Sequence, residues 1–253
     1  MKTKRRGLYI VLGILALVVL FLVLLVVYPF LASVQQATVE TRQEVYSPEI
    51  NTEDFVSGIA HPYLSFVPGT TFVYEGLTDE GTERTVVIVT DEAKTVLGIA
   101  MTVVWDRVYL NGELIENTKD WYAQDTDGNV WYFGEDSKEI EDGVVVSSEG
   151  SWESGVDGAL PGIVMQADPY VGQVYRQEYY AGEAEDMAEV ISLEADVAVA
   201  YGSFSGCLQT RDWNPLEPGG EEYKYYCRDV GLVYEVPISG GEGVELISVE
   251  TAL

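Results

Sequence analysis

One histidine, two cysteines, and 14 Lys and Arg against 42 Asp and Glu mark what the 253-residue chain has little of. Each scarcity excludes something. At a formal net charge of -28 the molecule repels phosphate backbones, which removes nucleic acid from the partner classes. His61, followed by Pro62, has no identifiable nucleophile to activate, and the nearby Ser65 is not set in a G-x-S-x-G elbow, so no histidine-based triad is legible. Cys207 and Cys227 lack the short spacing of a structural zinc site. Low hydrophobicity, the mark of disordered acidic segments, is also missing: 47% of residues are hydrophobic, with 17 Tyr and 5 Trp. A folded domain is expected.

The charge is unevenly placed. Residues 1 to 30 hold four of the basic residues and no acidic one, so the remaining 223 carry 10 basic and 42 acidic side chains. Lys2, Lys4, Arg5 and Arg6 precede an uncharged apolar run from Gly7 to about Val27. At about 1.5 Å per residue such a run crosses a hydrocarbon layer of about 30 Å, and its basic flank stays cytoplasmic. The expected organisation is a cytoplasmic basic tail at 1–6, a transmembrane signal anchor at 7–28, a stalk or linker at 29–60 and an extracytoplasmic β domain at 61–253. The localisation is then the cell membrane, single-pass. The apolar run exceeds the core of a cleaved signal peptide, which favours an uncleaved anchor over cleavage near Ala32 or Ala37. Beyond the membrane disulfides persist, so Cys207 and Cys227 are expected to pair, against free thiols or intermolecular bonding.

Strand signals begin at TTFVYEG (70–76) and continue through ERTVVIVTDE (83–92) and TVLGIAMTVVWDRVYLNGELIE (95–116), rich in Val, Thr, Tyr and Trp. Asn111-Gly112, Asp127-Gly128 and Asp142-Gly143 are hairpin turns by composition. Residues 149 to 170, punctuated by Gly and Pro, fit neither strand nor helix and are expected to form an ordered loop, a common setting for a site. Glu183 to Met187 is either a short helix or a turn. The fold class is mainly β: a strongly curved antiparallel sheet, barrel or half-barrel, with at most one or two short helices and one preceding transmembrane helix.

The blocks DWYAQDTDGNVWYFGED, GSWESGVDGALPGIVM, YRQEYYAGEAEDMAEV and YKYYCRDVGLVYEV, within residues 61 to 250, resemble those of an uncharacterised family of exported bacterial β-rich proteins. The Tyr-rich ending is similar, more loosely, to curved-sheet lipoprotein carriers. These resemblances imply a curved sheet and supply no catalytic residues.

Two acidic clusters are candidate Ca2+ sites, because hard cations take oxygen ligands. The first joins Asp125, Asp127 and Asn129 with Asp120 and Glu135. Its spacing departs from an EF-hand loop, and its alternative is a plain hairpin turn. The second gathers Glu178, Glu183, Glu185 and Asp186, with Asp157 from the 149–170 segment; its alternatives are a solvated face and an ion pair with Arg176. Strand alternation puts Trp121, Trp131 and Phe133 toward a core and turns Tyr122 and Tyr132 outward. Tyr122, Tyr132 and Trp152 are the candidate ligand-facing aromatics, with core packing as the alternative.

The function this supports is a non-catalytic, membrane-anchored extracytoplasmic domain that binds an envelope polymer, an apolar ligand or a protein partner, with Ca2+ as the candidate ion. Two other classes stay open: a structural component of the envelope that self-associates, and a carboxylate hydrolase acting on extracellular glycans.

Overall fold

The computed structural model describes residues 46–78 and 80–252. The expected tail, the anchor at 7–28 and most of the stalk lie outside the described residues. Among the described residues no helix is long and apolar enough to cross a membrane. Residues 47–253 form one compact unit.

Its only helical element among the described residues is a 3-10 turn, Thr52–Asp54, started by Asn51, whose side chain accepts from the Glu53 N–H. Everything else is strand and turn. The first strands are short: β1 (Phe55–Val56), β2 (Ile59–His61) and β3 (Leu64–Phe66). The long meander follows as β4 (Thr70–Thr78), β5 (Gly81–Val89), β6 (Lys94–Val96), β7 (Ile99–Leu110), β8 (Glu113–Asp125) and β9 (Val130–Asp136). Short pieces come next, β10 (Glu139–Glu141), β11 (Val144–Ser147), β12 (Trp152–Glu153), β13 (Leu160–Met165), β14 (Val174–Arg176) and β15 (Glu178–Tyr179). Four longer strands and a final one end the chain: β16 (Met187–Val199), β17 (Gly202–Trp213), β18 (Glu222–Cys227), β19 (Gly231–Pro237) and β20 (Val244–Thr251).

The turns obey their composition. Asn111 and Gly112 sit at φ 52° and 88°, and Asp142 and Gly143 at 51° and 76°, the paired left-handed residues that a tight hairpin requires. Successive strands therefore pair antiparallel, β4 with β5, β5 with β7, β7 with β8 and β8 with β9. In the second half β16, β17, β18, β19 and β20 pair in order, and β20 returns to β4 in register from Val244 opposite Gly76 to Thr251 opposite Thr70. One seam remains between β9 and β16. It is bridged by β13, which pairs with β9, and by the extended segment 174–179, whose β15 pairs with β13 and whose β14 pairs with β16. The result is an antiparallel, nearly closed barrel.

The seam explains why residues 149–170 read as a loop. They contain β12 and β13 instead, and the Gly-Pro content serves close approach. A Cβ on Gly162 would lie 2.3 Å from the Gln177 carbonyl carbon, so only glycine lets the two seam segments meet. Residues 183–186 form the turn before β16 and not a helix.

Cys207 and Cys227 are bonded, with Cα atoms 4.4 Å apart on the neighbouring strands β17 and β18. Both sulfurs lie in an apolar cluster with Phe72, Val89, Val233 and Leu246. Closing this loop contributes about 3 kcal/mol in the chain-entropy picture.

The β2–β3 hairpin enters the barrel as a plug. Ile59, Tyr63 and Leu64 pack with Val130, Met165, Val190, Leu208 and Tyr226. Gln124 Oε1 accepts from the Ala60 N–H at 2.8 Å, the Asp229 N–H donates to the Pro62 carbonyl at 2.8 Å, and the Arg228 guanidinium lies over the Tyr63 ring. His61 belongs to this plug. It is 3% exposed, its Nδ1 accepts from the Tyr63 N–H, and burial lowers its pKa.

A second apolar cluster lies on the other face of β7–β9. Val103, Trp121, Ala123 and Phe133 pack there with Ile50 and Phe55, which the 46–56 segment brings across the sheet as β1 pairs with β8. The Phe55 ring meets the Phe133 ring edge-on at 5.5 Å between centroids.

Candidate functional site: an acidic cavity inside the barrel

Because Trp121 and Phe133 take the covered outer face, alternation turns Tyr122 and Tyr132 to the barrel interior and not outward to solvent. Beside the plug this interior holds a cavity of about 520 Å³. Leu64, Ser65 and Phe66 of the plug form part of its wall, with the Phe66 ring 5.2 Å from that of Tyr122.

The rest of the wall is unusually polar. Its lining includes four tyrosines, eight carboxyl groups and one lysine. The strand period produces this. On β7 the inward positions run Val104, Asp106, Val108, and on β5 they run Glu83, Thr85, Val87. On β8 they are Glu116, Asp120 and Tyr122.

Glu135 reaches the interior through a bulge. Tyr122 faces Tyr132 and Asp120 faces Glu135, so β9 carries one extra residue between those pairs. Gly134 within the bulge has φ 132°, and a Cβ there would strike the Trp152 carbonyl oxygen at 2.3 Å. A glycine at this position is what re-aims Glu135 onto the face of Tyr132.

The Tyr132 hydroxyl oxygen lies 2.7 Å from Asp120 Oδ1 and 2.8 Å from Glu135 Oε2. A phenol has one proton and donates to one carboxylate, so the second short contact requires a proton on the other carboxyl. The electrostatics agree. Burial, followed by the like charges of Asp106 and Glu135, holds Asp120 well above the usual carboxylate range. Burial drives Glu135 up to about 7 against the Tyr132 hydrogen bond.

Asp106 stands near this trio without its hydrogen bonds. Burial, with Glu116 and Glu235 adding like charge, pushes it up to about 7, and its Oδ1 is buried with no hydrogen-bond partner. Glu178 accepts from the Trp152 indole N–H at 3.1 Å; burial and the charges of Asp186 and Glu135 raise it to about 8. Asp186 is raised by burial to about 6, with Lys224 opposing. Burial works against the Lys224 ammonium, but Glu235 and Glu222 outweigh it, and its pKa stands well above the ordinary lysine value. Lys224 Nζ is 3.1 Å from Glu222 and 4.0 Å from Glu235.

The residues read from sequence as two cation clusters are divided differently. Asp120, Glu135, Glu178 and Asp186 come from both clusters into one cavity wall. Asp125 is spent on its turn: its carboxylate accepts from the Asn129 backbone and side-chain N–H groups and from the Trp131 indole, each at 2.8 Å. Asp127 is exposed at the tip, and Asn129 Oδ1 accepts from the Ala167 N–H. Glu185 accepts from the Gly182 N–H and faces Arg176 at 3.7 Å, while Glu183 and Asp157 are exposed. Among the described residues no three His, Cys, Asp or Glu groups come together closely enough to hold one metal ion.

Of the aromatics, Tyr122 and Tyr132 line the cavity, their rings stacked at 4.8 Å. Trp152 stands behind Tyr132, edge-on at 5.4 Å. Sequence alone does not single out Asp106, Glu83, Glu116, Glu235 or Lys224. The available signal is a charged residue repeated on one strand face among Val and Thr, which an exposed face produces equally well.

Chemically, the wall offers many acceptors, few fixed donors, and carboxyls that gain and lose protons near neutral pH. Compared with protein-family models, with curated proteins and with solved structures, the chain finds no match.

Proposed function

We propose that this chain is a non-catalytic, membrane-anchored extracytoplasmic binding protein that holds a small ligand inside its barrel. The anchor rests on the basic tail and apolar run of residues 1 to 28. The binding reading rests on one observation above all: a cavity of about 520 Å³ walled by tyrosines and carboxyl groups where a barrel of this size would otherwise pack apolar side chains. Cavities of roughly 300–1,000 Å³ with a few convergent polar groups are the usual form of small-molecule sites. The plug hairpin supports the reading, because it fills one part of the interior with Ile59, Tyr63 and Leu64 and leaves the remainder open.

Native mass spectrometry of the full-length chain, extracted in mild detergent, tests it. The wild type is expected to retain a small molecule in a one-to-one ratio, and Val164→Trp, which projects bulk into the cavity, to lose it. Identical ligand-free masses for both proteins contradict the reading.

An envelope-assembly role is favoured by a different feature. The β10–β11 hairpin exposes Val144, Val145 and Val146 at 63, 55 and 52%. Among the described residues β11 has register partners only on β10, and an apolar strand with one unpaired edge is a template for association. Sedimentation of the full-length chain against Val145→Lys distinguishes the two: concentration-dependent association abolished by the lysine supports assembly, and monomers in both contradict it.

A further inference from the structure

We propose that the ligand is a small organic polycation, a compound carrying two or more ammonium groups along a flexible apolar chain, with Asp106 as a principal anchor. The proposal deepens the binding reading and rests on it. Charge sign is the first argument. Eight carboxyl groups line the cavity and Lys224 is the only cation among the lining groups. That lysine is already engaged by Glu222 and Glu235. An anionic ligand would meet like charge wherever a carboxyl is ionised, and a neutral one would gain nothing from the acidity of the wall.

Hydrogen-bonding capacity is the second. Asp106 lines the cavity while its Oδ1 is walled in by protein without a donor, so the protein leaves its charge uncompensated and a donor can reach the carboxyl only from the cavity side. An ammonium group brings three donors and no acceptor, which matches a wall of carboxylates.

Distribution is the third, and it separates an organic cation from a metal ion. Asp106 on β7, Asp120 on β8, Glu135 on β9 and Glu178 on β15 stand around the wall on separate strands. No three of the described candidate groups converge on a point. Calcium needs six to eight oxygens at about 2.3–2.6 Å, whereas ammonium groups separated by methylenes meet carboxylates one or two at a time. The stacked rings of Tyr122 and Tyr132, and Tyr74 and Phe72 nearby in the wall, supply faces for the methylenes and for cation-π contact. In the empty cavity protons on the carboxyls take the place of the ligand's charge, so binding near pH 7 releases them.

The test is calorimetric titration of the full-length chain with spermidine at pH 7 and about 0.15 M salt, where surface pairs are screened beyond about 8 Å. Titrations run in two buffers of different ionisation enthalpy. Wild type, Asp106→Asn and a surface control, Glu250→Gln, are compared, and a neutral dye of similar size is titrated in parallel. The expected result is one site, an apparent enthalpy that changes with buffer because protons leave, affinity lowered at least tenfold by Asp106→Asn, and no change from Glu250→Gln. Circular dichroism checks that the variant keeps its sheet. Binding of several spermidines, unaffected by Asp106→Asn, means a diffuse acidic surface and overturns the proposal. Binding of the dye but not spermidine overturns it while leaving the cavity reading intact. Binding of neither contradicts both.

Discussion

The two faces of β7, β8 and β9 carry side chains from the same three strands, yet one is packed and the other lines a cavity. The outer face holds Val103, Trp121, Ala123 and Phe133 under Ile50 and Phe55, with Phe133 0% exposed. The inner face holds Asp106, Asp120, Tyr122, Tyr132 and Glu135 around an open volume. The dry face stabilises the fold by apolar burial, while the wet face costs stability by keeping carboxyls out of water.

The sharpest way to break this contrast is on the dry face. Phe133→Ala is expected to destabilise the protein by about 3–5 kcal/mol, read from chemical denaturation, because the site is fully enclosed and a cavity remains. Loss of the Cys207–Cys227 bond in the double serine variant is expected to cost about 3 kcal/mol, measured the same way. On the wet face the sign reverses. Asp106→Asn is expected to raise the stability of the ligand-free protein at pH 8 by roughly 1–3 kcal/mol, since it removes a buried charge that lacks a partner.

The wild-type pH profile follows from the same groups. Asp106, Glu135 and Glu178 titrate at about 7, 7 and 8 in the folded protein, above their ordinary values of 3.8, 4.5 and 4.5. The folded state therefore binds more protons than the unfolded one across that interval. Their stabilising contribution is complete below about pH 4 and is lost as pH rises through 7 to 8. Thermal melting is expected to fall from pH 5 to pH 8, and the fall to be shallower in Asp106→Asn. The smallest effect belongs to the turn: Asp127→Ala, exposed at the β8–β9 tip, is expected to change stability within about 0.5 kcal/mol and to leave binding unaltered.

Much of the scaffold is legible in the sequence because its causes are local. Asn111-Gly112 and Asp142-Gly143 specify hairpins by the φ they allow, and the Cys207–Cys227 pair follows from two antiparallel strands separated by a short linker. Alternation also divides Trp121 and Phe133 from Tyr122 and Tyr132. What alternation cannot state is which face becomes the interior, since that depends on β20 meeting β4 and on the seam through Gly162, contacts between residues far apart in the chain. The same limit hid the site. Asp106 and Glu235 belong to different halves of the sequence, and only ring closure sets both in one wall. Asp125 and Asp127, close together in sequence and rich in oxygen, serve a turn.

Thermal melting of wild type and Asp106→Asn at pH 8, with and without spermidine, tests the central claim most directly. The account predicts that without spermidine the variant melts higher than wild type, and that spermidine raises the wild type while leaving the variant nearly unmoved. A variant that melts lower than wild type, or that gains as much from spermidine, would contradict an interior kept polar for a cationic ligand.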